Sequence, residues 1–569
     1  MDYKSLEILD LSEAGQLEEE DCRALDRVSL STRIEYDNFI GKLIEINQLE
    51  SKNLFLSVSC RNTLVSRILY NFCCLSLIEE RLKTNKTPDV IVVDHPEMKS
   101  AVRSLLKKFE ISNIKIQALR KKKSPTLTLA SNILKSLYVT FISFSLSKIF
   151  VTRKKPDEAI VLVDTFMFKE SIDEEGNFND RYYTGHEKFL DKKSQENIWY
   201  TPTLFGLKTP SDYFYLFKNI HKLKKNFFIK ESWLTLPDYF MSIYESVVIP
   251  KEIKIFPEFR KVDVSELLRQ EINKDRGSLS LFRALCNYRF FSRLSSEGVK
   301  INSVVNWFEN HVNDRALNLS IKKNFKDAII KGYQGFMLIN YYATYEPTSY
   351  EYDLGTIPHE INVMNGYSKK IINNICPKLK VNISPAFRFD HLINIKDKRS
   401  PHKKVIFIPF PGEGMTSSGV SLVKSCLSVI SDFQEDIELY VKPHPSFPAP
   451  LLKKYDKTMI DIDIRYTERS TSSMYEISDL VVSTGSVACA EALSLGIPIA
   501  MNGKFSEITM NPLPSGFMED MWTIFYNKQE LREFMSFAFN LKRREVAIES
   551  LFYPHTRDGA RSLFSFPDS

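Results

Sequence analysis

Leu480-Val481-Val482-Ser483-Thr484-Gly485-Ser486-Val487-Ala488-Cys489-Ala490-Glu491-Ala492-Leu493-Ser494-Leu495-Gly496-Ile497-Pro498-Ile499-Ala500-Met501 fits a strand, a turn, a helix and a second strand into one short stretch. Leu480 to Val482 and Ile497 to Met501 are unbroken apolar runs, the pattern of strands covered on both faces. Ser486 to Leu495 keeps a helical period that Gly496 ends. Strands joined through a helix pair in parallel, so the chain reads as α/β. The Ser483 to Ser486 turn opens the helix, whose first N–H groups and positive dipole end suit a phosphate.

Upstream, Ile437 to Val441 reads as a neighbouring strand, with Lys442-Pro443-His444-Pro445 at its carboxyl end, where open α/β sheets bind ligands. Lys404 to Phe410 opens this series, and Pro411-Gly412-Glu413-Gly414 follows it, glycine permitting close backbone approach to a ligand. A helix at Val420 to Phe433, a Pro-rich loop, a strand at Met459 to Ile462 and a short helix at Ser472 to Ile477 complete a nucleotide-binding domain. The polar stretch Lys396 to Lys403 sets its boundary, dividing the chain into 1–395 and 396–569. The helical region Gln529 to Ser550 is expected to cross back onto the first domain.

That first domain alternates in the same way. Leu54 to Val58, Val90 to Asp94 and Ile114 to Ile116 read as strands between helices at Leu64 to Leu82 and Met98 to Phe109. The sheet is expected to resume at Ala159 to Asp164 and to continue through Val304-Val305 and Ala328 to Ile330. Between these halves, Leu127 to Val151 is rich in Leu, Ile, Phe and Val. Lys135 and Lys148 interrupt it, leaving too short an uncharged run to span a bilayer, so it reads as an interfacial or buried helix.

A chain of 569 residues with 43% hydrophobic and 26% charged residues is a folded protein of two large domains, which excludes a disordered or multi-span chain. Net charge is +6, but basic runs at Arg120 to Lys123, Arg153 to Lys155 and Lys222 to Lys225 gather in the first half, so peripheral contact with an anionic membrane is a candidate role. No nucleic-acid signature is present. Eight scattered cysteines and an N-terminus without a secretory pattern point to the cytoplasm.

Neither G-x-G-x-x-G nor G-x-x-x-x-G-K-[ST] occurs, so a phosphate has to be held by Lys442, His444 and the Ser483 to Ser486 turn. His444 can donate to a phosphate as a glycosidic bond breaks. Glu491, in the helix after the turn, is placed for a ribose diol. A carboxylate able to take up a proton is expected from the first domain. Glu309 follows Val304-Val305-Asn306-Trp307-Phe308, and an apolar wall of Trp307 and Phe308 would raise its pKa. Asp173-Glu174-Glu175-Gly176 is the second candidate. Gln334, between two glycines, is expected in the same cleft.

This arrangement resembles the GT-B glycosyltransferases, two Rossmann-like doubly wound domains facing a central cleft. More narrowly, Lys442-Pro443-His444-Pro445 followed by a Ser/Thr turn resembles the HP-motif enzymes of bacterial capsule and lipopolysaccharide synthesis, sialyl-, polysialyl- and Kdo-transferases using CMP-sugars. Trp307-Phe308-Glu309-Asn310 and Gly332-Tyr333-Gln334-Gly335 resemble the surface carbohydrate biosynthesis protein family. The resemblance implies that His444, Ser483, Thr484 and Ser486 contact the nucleotide phosphate, that Trp307, Asn310 and Gln334 lie on the acceptor side, that an acidic-acidic-glycine motif such as Asp173 to Gly176 supplies the base, and that neither metal nor cofactor is needed. It implies a nucleotide-sugar donor, CMP-sugar favoured, and a lipid-linked or soluble glycan acceptor of O-antigen or capsule synthesis. A glycerol- or ribitol-phosphate transferase and a non-catalytic scaffold binding nucleotide or glycan share the architecture.

Overall fold

Among the described residues the buried apolar runs form three sheets, all parallel, in the computed structural model. The structure describes all residues except 1–5, 14, 64, 123, 340–341, 413–414, 435, 445–449, 451–464, 505–506, 542–547 and 565–569. The expected strand at Met459 to Ile462 lies outside the described residues.

The smallest sheet, order β1-β2-β3, joins β1 (Ile8–Asp10), β2 (Val90–Val93) and β3 (Lys115–Ala118). The helices Glu19–Asn47 and Ile68–Lys83 pack beside it through an aromatic seam in which the Phe72 ring stands 5.3 Å from Tyr36 and 5.0 Å from Phe39, both edge-on. Leu54 to Val58 is not a strand. It forms 3-10 turns at Ser51–Phe55 and Ser57–Ser59, because the Leu54 carbonyl accepts from Arg315 Nη1 and Ser59 Oγ at 2.7 and 2.9 Å instead of from a neighbouring strand.

This small sheet does not resume at Ala159, as the alternation suggested. After the helix Pro125–Phe150 a separate seven-stranded sheet begins: β4 (Ile160–Met167), β5 (Ile198–Leu204), β6 (Asn226–Phe227), β7 (Ile301–Trp307), β8 (Ile329–Gln334), β9 (Glu360–Val363) and β10 (Lys380–Ile383), in the order β10-β9-β8-β7-β4-β5-β6. Central β4 shows why: Val161, Val163 and Met167 face one core while Ile160 and Leu162 face another. A strand with no polar face needs layers on both sides.

The third sheet holds β11 (Lys404–Pro409), β12 (Ile437–Lys442), β13 (Arg465–Tyr466), β14 (Leu480–Ser483), β15 (Ile499–Asn502) and β16 (Trp522–Phe525), in the order β13-β12-β11-β14-β15-β16. Both large sheets are doubly wound, and the fold is α/β with two Rossmann-like domains. The element that crosses back differs from expectation. The helix Lys528–Asn540 packs inside the second domain through Leu531, Met535 and Ala538 and, among the described residues, meets the first only at its start, where Glu530 pairs with Arg23. It is Arg557–Phe564 that returns, placing Ala560, Leu563 and Phe564 in one core with Trp307 and Tyr333.

Candidate functional site

In a doubly wound sheet the chain starts in the middle and reverses direction once, leaving a crevice beyond the carboxyl ends of the two strands at the reversal. In the seven-stranded sheet those strands are β4 and β7, and in the third sheet β11 and β14. Glu309 follows β7, and the Ser483 to Ser486 turn closes β14.

At the first crevice a cavity of about 620 Å³ is lined by Asp164 and Phe166 of β4, Tyr182, Thr203 of β5, Arg283, Glu309, His311 and Asp314. Glu309 accepts from Trp307 Nε1 at 2.8 Å and lies 3.0 Å from His311 Nε2. Asp314 Oδ2 accepts from the backbone N–H groups of Glu309 and His311 at 3.1 and 3.0 Å, fixing the loop that carries the pair. Burial opposes the charge on Glu309, but the hydrogen bond and charge of His311, the Trp307 N–H and Arg388 outweigh it and hold the carboxyl below its usual range. Burial likewise opposes a charged His311, and its contacts with Cys60 and Glu309 raise it well above an ordinary histidine. The pair is therefore carboxylate and imidazolium at neutral pH. This corrects the expected raised pKa of Glu309: Trp307 contributes a hydrogen-bond donor, not only an apolar wall.

The raised carboxyls are its neighbours. Burial pushes Asp164 up to about 8 against the pull of Lys230, with Asp314 and Glu309 adding to the rise. Burial also pushes Asp314 up to about 7, where Glu309 adds to the rise and His311 opposes it. Neither aspartate was singled out as a site residue. The signal available was a charged residue inside the apolar run Ile160-Val161-Leu162-Val163-Asp164, a position that is 5% exposed.

The other first-domain candidates fall elsewhere. Asp173, Glu174 and Glu175 sit on an exposed turn between the paired residues Ile172 and Phe178, where the Asp173 carboxylate caps Asn177, and they do not line the cavity. The acidic cluster satisfies a tight surface turn. Asn310 is fully buried with a left-handed backbone (φ 56°), donating to Thr344 O and Glu351 and accepting from Arg315. It anchors the loop from behind and does not line the cavity. Gln334 is 1% exposed, donates to Tyr345 O, and is likewise absent from the cavity lining. Trp307, 1% exposed, acts through Glu309. Its ring packs so closely on Gly335 that a Cβ there would meet it at 2.7 Å.

At the second crevice Ser483 Oγ accepts from the N–H groups of Gly485 and Ser486 at 3.3 and 3.4 Å and lies 3.4 Å from Ser486 Oγ, folding the turn over the start of the helix Val487–Ser494. Gly485 has φ +89°, and a Cβ there would fall 1.9 Å from the Met510 carbonyl oxygen. Thr484 is buried beside it. Lys442 and His444 leave β12, which flanks β11 on the side opposite β14, so the two segments expected to hold an anion straddle β11 and do not share neighbouring strands. Lys442 Nζ donates to Arg469 O at 2.6 Å. Burial lowers the His444 pKa, leaving a neutral ring that can donate one N–H. Gly412 follows β11, its carbonyl accepting from Met415 N at 3.0 Å, while Glu413 and Gly414 lie outside the described residues.

One residue meets both halves and carried no sequence signal. Arg388, in the connection Phe387–Asn394, stands over the rings of Tyr182 and Trp307 at 5.8 and 5.7 Å and remains exposed. Its charge acts on Glu309 in one domain and on Glu491 in the other. Glu491 accepts from Tyr475 OH at 2.8 Å, and burial raises its pKa against that bond and the charges of His391 and Arg388.

No family model matches the chain, and curated proteins give no match. Among solved structures it is similar to the S. aureus MnaA–UDP co-structure, with 11% identity and a TM-score of 0.39 over 71% of this chain and 94% of that one. It is similar to Acinetobacter baumannii MurG, with 10% identity and a TM-score of 0.35 over 72% and 98%. The wall teichoic acid polymerase TagF gives 11% identity and a TM-score of 0.33 over 77% and 96%. Likenesses at this level carry no information on substrate.

Proposed function

We propose that the chain is a metal-independent glycosyltransferase that moves a sugar from a nucleotide-sugar, CMP-sugar favoured, to a bacterial surface glycan precursor at the cytoplasmic side. The observation that carries the reading is the placement of the Glu309 carboxylate and a hydroxyl-lined turn at the reversal points of two separate doubly wound sheets, with the Arg388 charge acting on Glu309 and on Glu491, in the helix after the turn. The acceptor oxygen attacks the anomeric carbon as its proton passes to Glu309. The bond from that carbon to the phosphate oxygen breaks, and its electron pair stays on the phosphate. The Ser483 to Ser486 turn, the helix N–H groups behind it and His444 would hold the growing charge. His311 fixes Glu309 in the ionised state and Asp314 fixes the loop.

Thermal shifts with CMP, CDP, UDP, GDP and TDP test the donor half. One nucleotide should stabilise the protein, and His444→Ala should abolish that shift. Glu309→Gln should keep the shift and lower transfer by about 100-fold or more. A Glu309→Gln protein that still supports glycan synthesis would leave a nucleotide-binding scaffold as the better reading.

A further inference from the structure

The helix Pro125–Phe150 is folded inside out. Its buried positions are Ser136, Thr140, Ser143 and Ser147, spaced to form one stripe, while Leu127, Leu134, Tyr138, Phe141 and Ile149 are 49 to 74% exposed. A helix on a protein surface in water turns its apolar stripe inward. The polar stripe is bound in place: Asn132 donates to Lys274 O and Arg276 O, and Ser147 to Glu231 O. Gly277 gives the helix its close approach, since a Cβ there would lie 3.1 Å from Leu129.

The adjoining helix Leu236–Val248 repeats the inversion. It buries Asp238, Tyr239, Ser242 and Ser246 and exposes Leu236, Phe240, Met241 and Tyr244 by 47 to 61%. Phe214 and Tyr215, on the helix Pro210–Ile220 that also packs against Pro125–Phe150, add to the face, the Phe214 ring lying 5.5 Å from Phe150. Patches of this kind mark a surface meant to be covered.

Charge says what covers it. From Arg120 to Lys155 there are nine Lys and Arg and no Asp or Glu. Lys121, Lys135, Lys154 and Lys155 are exposed. A second copy docking face to face would bring like charges together, whereas an anionic lipid leaflet matches both the apolar centre and the basic flanks. We propose that these three helices form a membrane-docking face on which Pro125–Phe150 lies in the plane of an anionic leaflet. One helix among the described residues is long and apolar enough to cross a bilayer, and it is this one. Its hydrogen bonds along the buried stripe hold it flat against the domain.

The face also opens toward the candidate site. Val139, Thr140 and Ser143 of the same helix line a small cavity whose other walls include Thr203, Arg283 and Asn287, residues that also line the Glu309 cavity. Membrane docking stands independently of glycosyl transfer.

The test is flotation of the full chain with phosphatidylcholine vesicles, with and without about one third phosphatidylglycerol. The protein should float with the anionic vesicles and should keep part of its binding at about 0.5 M salt, where surface charge is screened. Phe141→Ser with Phe240→Ser should lower partitioning by about tenfold or more. Lys154→Glu with Lys155→Glu should weaken only the low-salt binding, a second pair of variants at exposed positions. Absence of flotation with anionic vesicles would overturn the proposal. So would a dimer in light scattering that the Phe141/Phe240 variant dissolves while vesicle binding is unchanged.

Discussion

Glu351→Gln tests what holds the Glu309 loop. The Glu351 carboxylate is fully buried and accepts five hydrogen bonds: from Arg315 Nη2 at 2.6 Å and Asn310 Nδ2 at 3.1 Å on one oxygen, and from Arg61 Nη2 at 2.9 Å, Thr348 N at 2.8 Å and Thr348 Oγ1 at 3.0 Å on the other. Both guanidinium groups are fully buried. A glutamine keeps the shape but turns one oxygen into an N–H donor, which leaves two or three of these donors facing another donor. At roughly 1–3 kcal/mol for each stranded buried donor, or about 3–5 kcal/mol for a broken buried ion pair, the loss is about 3–5 kcal/mol. The network joins Arg61 to Asn310, the residue next to Glu309, so activity should fall at temperatures where the variant is still folded. Urea unfolding followed by tryptophan fluorescence reads the stability, and a transfer assay below the transition reads the loop. A stability loss under about 1 kcal/mol with full activity would refute the argument that this network positions the site.

Asp164, raised to about 8 by burial, keeps a proton that the unfolded chain sheds near pH 4, so the folded state binds more protons between those values and stability falls as pH rises through that window. Asp164→Asn should remove a slope of about 1.4 kcal/mol per pH unit, seen as a variant more stable than the parent at pH 7 and equal to it near pH 4. Gly485→Ala should lower thermal stability by at least about 1 kcal/mol and abolish the nucleotide-induced shift, because its Cβ would collide with the Met510 carbonyl; an unchanged shift would remove this turn from the donor site. Asp173→Asn with Glu175→Gln should leave transfer within about twofold of the parent, and a larger loss would restore that turn as a source of the base.

The second domain was legible because Leu480 to Val482 and Ile497 to Met501 have no polar face, and such runs have one stable home, a sheet covered on both sides. The place of the Ser483 to Ser486 turn was legible for the same reason, since a strand's end fixes where the next residues point. Leu54 to Val58 has the same apolar density and was misread, because its fate is decided by Arg315, 261 residues away, which captures the Leu54 carbonyl. Long-range capture leaves no local trace. The Glu309 cavity was half legible: Glu309 follows its strand, but Asp164 meets His311 and Asp314 only once β4 and β7 pair, and Arg388 arrives from the connection after β10. The helix Pro125–Phe150 was recognised from its composition, yet mean hydropathy carries no information about which face is outward, and the Ser136, Thr140, Ser143 and Ser147 stripe is visible only as a spacing.

The return of Arg557–Phe564 sets an order of events during synthesis. Phe564 packs against Tyr183, His186 and Phe387, so the core beneath Trp307 is unfinished until that helix is made, about 170 residues after β10. At roughly 5–20 residues per second the ribosome needs about 10–35 s to cover that distance. For that interval the whole second domain can fold while the sheet bearing Glu309 waits with an open apolar slot. The half that bears Glu309, begun first, is sealed last.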